Sequence, residues 1–119
     1  HGDLCKEYYN FFRYVAGKEL SKYIIPLPLK ENMKPKEYIA DIRKALDDVF
    51  PFFLTDICGG TPDNIAKLLV NEIGKGFVIS GVNIPMLMEV LKIETYKSTK
   101  ELKDKFINSG KNGIHEFHI

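Results

Sequence analysis

An open, mostly parallel sheet with helices on both faces, in three α/β/α layers, is the fold class this sequence predicts. Three observations predict it. Short β-rich apolar runs alternate with stretches whose apolar residues recur every three to four positions. The run Phe50-Pro51-Phe52-Phe53-Leu54-Thr55 is apolar on both faces, as a strand covered from two sides must be. The connections are short and rich in glycine and proline, which suits βα units with right-handed crossovers. The 119 residues form one domain, 1–119, since the chain is long enough for a core and too short for two.

In chain order, Leu4, Tyr8, Phe11, Phe12 and Val15 recur at helical spacing behind Asp3, an expected N-cap, and Gly17 stops the helix. Tyr23 to Leu27 reads as a strand closed by Pro28, followed by a charged loop. Pro35 opens a second helix carrying Tyr38, Ile42, Ala45, Leu46 and Val49. After the strand ending at Thr55, the turn Asp56 to Asp63 leads into a third helix, with Thr61 as cap, Pro62 in its first turn and Asp63 complementing its dipole.

Phe77 to Ser80 is the next strand, Gly81 to Ile84 a turn, and Pro85 to Leu91 a helix. Ser98 and Glu101 form a capping box for a last helix with Leu102 and Phe106 on its apolar stripe. Ile114 to Ile119 is expected as a terminal strand.

Seventeen basic and sixteen acidic residues leave a net charge of +1, so no general field draws nucleic acid or an anionic membrane. Any partner is recognised locally. Cys5 and Cys58 lie in no zinc-finger or CxxC spacing and read as reduced thiols. The longest apolar runs fall short of the roughly 20 residues that cross a bilayer, no leader pattern opens the chain, and the expected location is the cytoplasm.

Ligands of such sheets bind beyond the carboxyl ends of the strands, where loops meet helix N-termini. Three loops meet that description: His1 to Asp3, Asp56 to Thr61, and Gly81 to Ile84. The Gly59-Gly60-Thr61-Pro62 turn suits a phosphate, although a glycine pair before a helix is also what any tight turn uses. Asp56 is equally readable as a loop-capping carboxylate. His1 is the only histidine among the first 114 residues and so the only candidate base or nucleophile near these loops. A carboxylate on one ring nitrogen fixes the tautomer that leaves the other free to hold a phosphoryl group. A first-position histidine also fits a tag remnant. A terminal His-Gly opens the copper brace of polysaccharide monooxygenases too, but that fold is a β-sandwich with a second ligand histidine, and here strand and helix alternate. No metal is expected.

Taken together, the motifs resemble the EIIA domain of the mannose family of the bacterial sugar phosphotransferase system. The match runs from His1-Gly2 through Ala16-Gly17-Lys18, Leu54-Thr55-Asp56, Gly59-Gly60-Thr61-Pro62 with Asn64, and Ser80 to Leu87 with Glu89 and Leu91. The resemblance implies a phosphohistidine carrier loaded from phospho-HPr and unloaded to an EIIB protein. His1 then carries the phosphate on Nε2, Asp56 orients the ring through Nδ1, and Gly59, Gly60 and Thr61 adjoin the phosphoryl oxygens. Asn83, in the third loop, and Pro85, just after it, are counted as a partner or site loop.

No cofactor is implied. The family also implies a homodimer in which the terminal strand, Ile114 to Ile119, adds to the partner's sheet. Related readings on the same fold are the phosphotransfer subunit of dihydroxyacetone kinase and the EIIA-like domain of a transcriptional regulator; a noncatalytic dimeric binding module is the reading from another class. Two departures stand out. Asp63 occupies a position usually apolar in the family and places a negative charge near the expected phosphate. The family's central strand precedes its histidine, and none precedes His1 in this sequence.

Overall fold

The computed structural model describes residues 1–119. Its elements in order are α1 (Leu4–Ala16), α2 (Lys18–Ser21), α3 (Pro35–Leu46), β1 (Phe52–Thr55), α4 (Thr61–Ile73), β2 (Phe77–Ser80), α5 (Ile84–Met88), a 3-10 helix (Glu89–Thr95) and α6 (Thr99–Asn112). β1 and β2 pair in parallel, Phe52 with Phe77 through Thr55 with Ser80, and α4 is the crossover between them.

The expected alternation across the sheet holds in the packing. Phe52, Leu54 and Phe77 lie against a core of Phe12, Ile79, Met86, Leu87, Val90 and Phe106, drawn from α1, β2, α5, the 3-10 helix and α6. Phe53 points the other way, onto Tyr38, Ile42, Ile65 and Leu69 of α3 and α4. Successive strand residues thus feed opposite layers. Each fully buried large side chain, such as Phe12, Phe106 or Leu69, contributes about 2 kcal/mol by leaving water.

The helix boundaries follow local chemistry. Pro35 and Pro62 sit in first turns, where a missing N–H costs nothing. Ser98 accepts the Glu101 amide at 3.1 Å, and the Glu101 carboxylate reaches back to the Lys97 amide at 3.0 Å. Two caps differ from expectation: Asp3 makes no side-chain cap bond, and Gly60 rather than Thr61 is the N-cap of α4. The helix expected over Pro85 to Leu91 is α5 tightening into the 3-10 segment.

Two expected strands are absent. Tyr23 to Leu27 makes no ladder: the sheet has two strands, β1 pairs only with β2, and this segment is hydrogen-bonded to neither of them. Pro26 and Pro28 further remove two donors. Ile114 to Ile119 is likewise unpaired and protrudes, with Phe117 87% exposed. A strand requires a partner edge, which sequence pattern cannot supply.

Candidate phosphoryl-transfer site

β1 ends at Thr55, so Asp56 leaves the sheet at its carboxyl edge, and its carboxylate meets His1. The His1 Nδ1 lies 3.0 Å from Oδ1 and 2.9 Å from Oδ2 of Asp56. The main-chain nitrogen of His1 lies 2.7 Å from Oδ2, and the Ile57 amide donates to Oδ1 at 2.8 Å. An ionised carboxylate only accepts, so Nδ1 must carry the proton. Nε2 makes no hydrogen bond in the chain and is left with its lone pair. The Asp56 side chain is 14% exposed and that of His1 44%, which fixes the carboxylate while the ring stays reachable.

The imidazole rests on the start of α4. A β-carbon on Gly60 would stand 2.6 Å from Cε1 and 3.3 Å from Nε2, so only glycine admits the ring there. Gly59 adopts φ 84°, the left-handed region that favours glycine. The amides of this turn are not all free: Gly59 N–H donates to Asp63 Oδ2 at 2.9 Å, and Gly60 N–H to the Ile57 carbonyl at 3.2 Å. The Thr61 amide and hydroxyl have no partner within the chain, and Thr61 is exposed. The glycines therefore contribute shape, and Thr61 contributes the donors at the positive end of a thirteen-residue helix.

Asp63 does not face the ring. Its carboxylate is fully buried, with Oδ1 accepting from Thr55 Oγ1 at 2.8 Å and from Ser80 Oγ, and Oδ2 accepting from Gly59 N–H and from Lys67 Nζ at 2.6 Å. Burial pushes this carboxyl up, but the hydrogen bonds from Gly59, Lys67, Ser80 and Thr55 outweigh it and hold the group well below the usual carboxylate range. The charge read from sequence as a threat to an anion is internally neutralised.

The family model described as the fructose IIA component of the phosphotransferase system, EIIA-man, matches residues 1–107. The chain belongs to the EIIA-man family. The fructose-specific EIIA component of Bacillus subtilis strain 168 is 28% identical over 104 residues, which is 86% of this chain and 71% of that protein. The mannose-specific EIIAB component of Escherichia coli K12 is 35% identical over 80 residues, 66% of this chain but only 25% of that protein. A solved phosphotransferase system component EIIA from Streptococcus agalactiae superposes with a TM-score of 0.88 at 29% identity, over 98% of this chain and 91% of that one. Family membership supports a phosphocarrier role in sugar uptake. No helix of this EIIA domain is long and apolar enough to cross a membrane.

Within the EIIA domain, the third loop divides. Gly81 and Val82 donate to the Thr55 carbonyl at 2.9 and 3.0 Å, beside Asp56. Asn83 turns away: it accepts the Met86 amide at 3.0 Å and donates to the Gly110 carbonyl at 2.8 Å, joining α5 to α6. Pro85 packs against Gly113. The structure thus groups His1, Asp56, Gly60 and Thr61, while Asn83 and Pro85 belong to the junction of α5 with α6. Cys5 lines the cavity beside His1, and burial raises its thiol pKa; Cys58 is exposed in the turn. The sequence motifs include Thr55 and Ser80 without giving either a role, and Lys67 lies in no motif. Their signal was the hydroxyl closing each strand, Phe-Phe-Leu-Thr and Phe-Val-Ile-Ser, with one acidic residue on the helix between.

Proposed function

We propose that this domain is a phosphohistidine carrier that takes a phosphoryl group from phospho-HPr on Nε2 of His1 and passes it to an EIIB component. The Nδ1 contact with Asp56 carries this reading, because it leaves Nε2 as the one basic nitrogen at the head of α4. The Nε2 lone pair attacks phosphorus, and the donor's N–P bond breaks with its electron pair returning to the donor nitrogen. Asp56 then faces an Nδ1–H on a positively charged ring and balances it, while Thr61 N–H and the helix dipole face the phosphoryl oxygens. A nucleophilic thiolate or imidazole of EIIB reverses the step, attacking phosphorus as the bond returns to Nε2. Alignment and charge carry such a transfer, and no cofactor enters it.

Incubation with phosphoenolpyruvate, enzyme I and HPr tests this directly. One acid-labile phosphoryl group is expected on His1 by mass spectrometry and none on the His1→Ala variant; an unmodified wild-type chain refutes the carrier role.

Two assembly proposals accompany it. Between Ile24–Leu27 and the unpaired edge of β1 lies a mainly apolar slot of about 190 Å³ with His1 and Asp56 at its lining. We propose that an extended segment running into His1 fills it. A β-forming apolar hexapeptide fused ahead of His1 should slow hydrogen exchange at the Phe52 and Leu54 amides, which face the unpaired edge of β1; unchanged exchange rejects the idea.

At the other end, the unpaired edge of β2 borders a groove lined by Val78, Ile79, Met86, Ile107 and Ile114, beside the exposed tail. We propose a homodimer in which the tail of one copy lies on this edge of its partner. Light scattering should give a dimer that becomes a monomer on deletion of residues 114–119; a monomeric full chain rejects it.

A further inference from the structure

Asp63 is the one acidic side chain with no exposed surface, and what it holds lies at both ends of the turn beneath His1. Its Oδ1 takes the hydroxyl of Thr55, the residue immediately before Asp56. Its Oδ2 takes the amide of Gly59, the residue immediately before Gly60. The two groups that touch the imidazole, the Asp56 carboxylate and the Gly60 backbone, are therefore each one residue from an atom fixed by the same carboxylate. Ser80 adds β2 to the tie and Lys67 supplies the opposing charge, but neither belongs to the turn.

We propose that Asp63 is a positioning residue for phosphoryl transfer: by clamping Thr55 and Gly59 together, it sets the spacing between Asp56 and Gly60 and so the orientation of the His1 ring. The inference rests on the carrier reading for its kinetic consequence, though not for its geometric one. A carboxylate suits the task because four donors converge on it from the turn, both strands and α4, and a neutral side chain of the same size cannot accept all four. Removing an acceptor here strands a buried donor, which makes the clamp stiff as well as stable.

A pair of single-hydroxyl deletions separates positioning from mere support. Thr55→Val and Ser80→Ala each remove one donor from Oδ1, but only Thr55 is joined to Asp56. Thr55→Val and Asp63→Asn should slow His1 phosphorylation by phospho-HPr about tenfold at unchanged KM, whereas Ser80→Ala should stay within about twofold. Circular dichroism supplies the folded fraction by which each rate is normalised. Nitrogen-15 NMR of the His1 ring gives a readout independent of transfer. The Nδ1–H resonance bonded to Asp56 should persist in wild type and Ser80→Ala and broaden in Thr55→Val and Asp63→Asn. Equal normalised rates in the two hydroxyl variants, or an unaltered ring signal in Asp63→Asn, overturns the proposal. A wild-type chain that keeps the ring signal yet takes no phosphate overturns the carrier reading and leaves the clamp standing.

Discussion

The ring of His1 and the α-carbon of Gly60 are packed so closely that a methyl group between them would stand 2.6 Å from Cε1. Gly60 itself has φ −72° and ψ 168°, a backbone any residue adopts, so glycine is needed there for room alone. Gly60→Ala should therefore leave the melting temperature nearly unchanged while displacing the imidazole. The phosphorylation rate of His1 should fall by about a hundredfold, the usual consequence of a misplacement on the order of 1 Å. Stopped-flow or quench-flow transfer from phospho-HPr, beside a thermal melt, checks both halves of the expectation.

Asp56→Asn keeps the shape of the side chain and removes its charge. Three donors, His1 Nδ1, the His1 main-chain nitrogen and Ile57 N–H, now approach a group with one acceptor oxygen, so at least one of them faces an NH₂. The expected result is a ring no longer held as the Nδ1–H tautomer and a phosphohistidine without its counter-charge. Phosphorylation should slow by about a hundredfold and the phosphorylated form should hydrolyse faster, as an acid-quench time course would show. Transfer at the wild-type rate contradicts the assigned role.

Acid stability should report on Asp63. Its carboxyl is lowered in the folded state, so its contribution is complete above the unfolded pKa of about 4 and disappears as pH falls toward the folded value. Urea titrations from pH 7 downward should show stability dropping below about pH 4, with a shallower drop in Asp63→Asn, whose total stability is lower throughout. Parallel acid limbs in the two proteins rule out this linkage.

Tyr38 gives the mirror case at alkaline pH. Burial, with the charges of Cys5 and Asp56 adding to it, raises its hydroxyl to about 12, and the O–H donates to the Leu27 carbonyl at 2.7 Å. A raised phenol favours the neutral folded form, so its contribution is whole below about pH 10 and is lost as pH rises through about 12. Tyr38→Phe should be less stable at pH 8 and flatter between pH 10 and 12; identical alkaline limbs argue against the assignment.

Sequence pattern carried the layers of this fold well because the relevant interactions are local. The apolar run at Phe52–Leu54 announces cover on both faces, and Phe52 and Phe53 do enter different cores. Tyr23 to Leu27 carries a similar signal and forms no strand, since a ladder depends on an edge supplied by another part of the chain. His1 and Asp56 were legible as a pair from their family motifs, and the geometry joins them. Asp63 departs from its sequence expectation because helical position places it in the first turn of α4, where an acid ordinarily serves the dipole, yet it is buried. Only the pairing of Thr55 with Ser80 reveals that two hydroxyls converge beneath that residue and turn it inward.

The inward-turned Asp63 braces the turn under His1 from within, so under the proposed carrier role the same surface meets both donor and acceptor. A mouth braced from beneath offers each visitor an identical, unyielding face, so discrimination between the loaded and the empty visitor must be written on the visitors' own surfaces. On the proposed carrier reading, direction of flow is then left to the relative energies of the successive phosphorylated links.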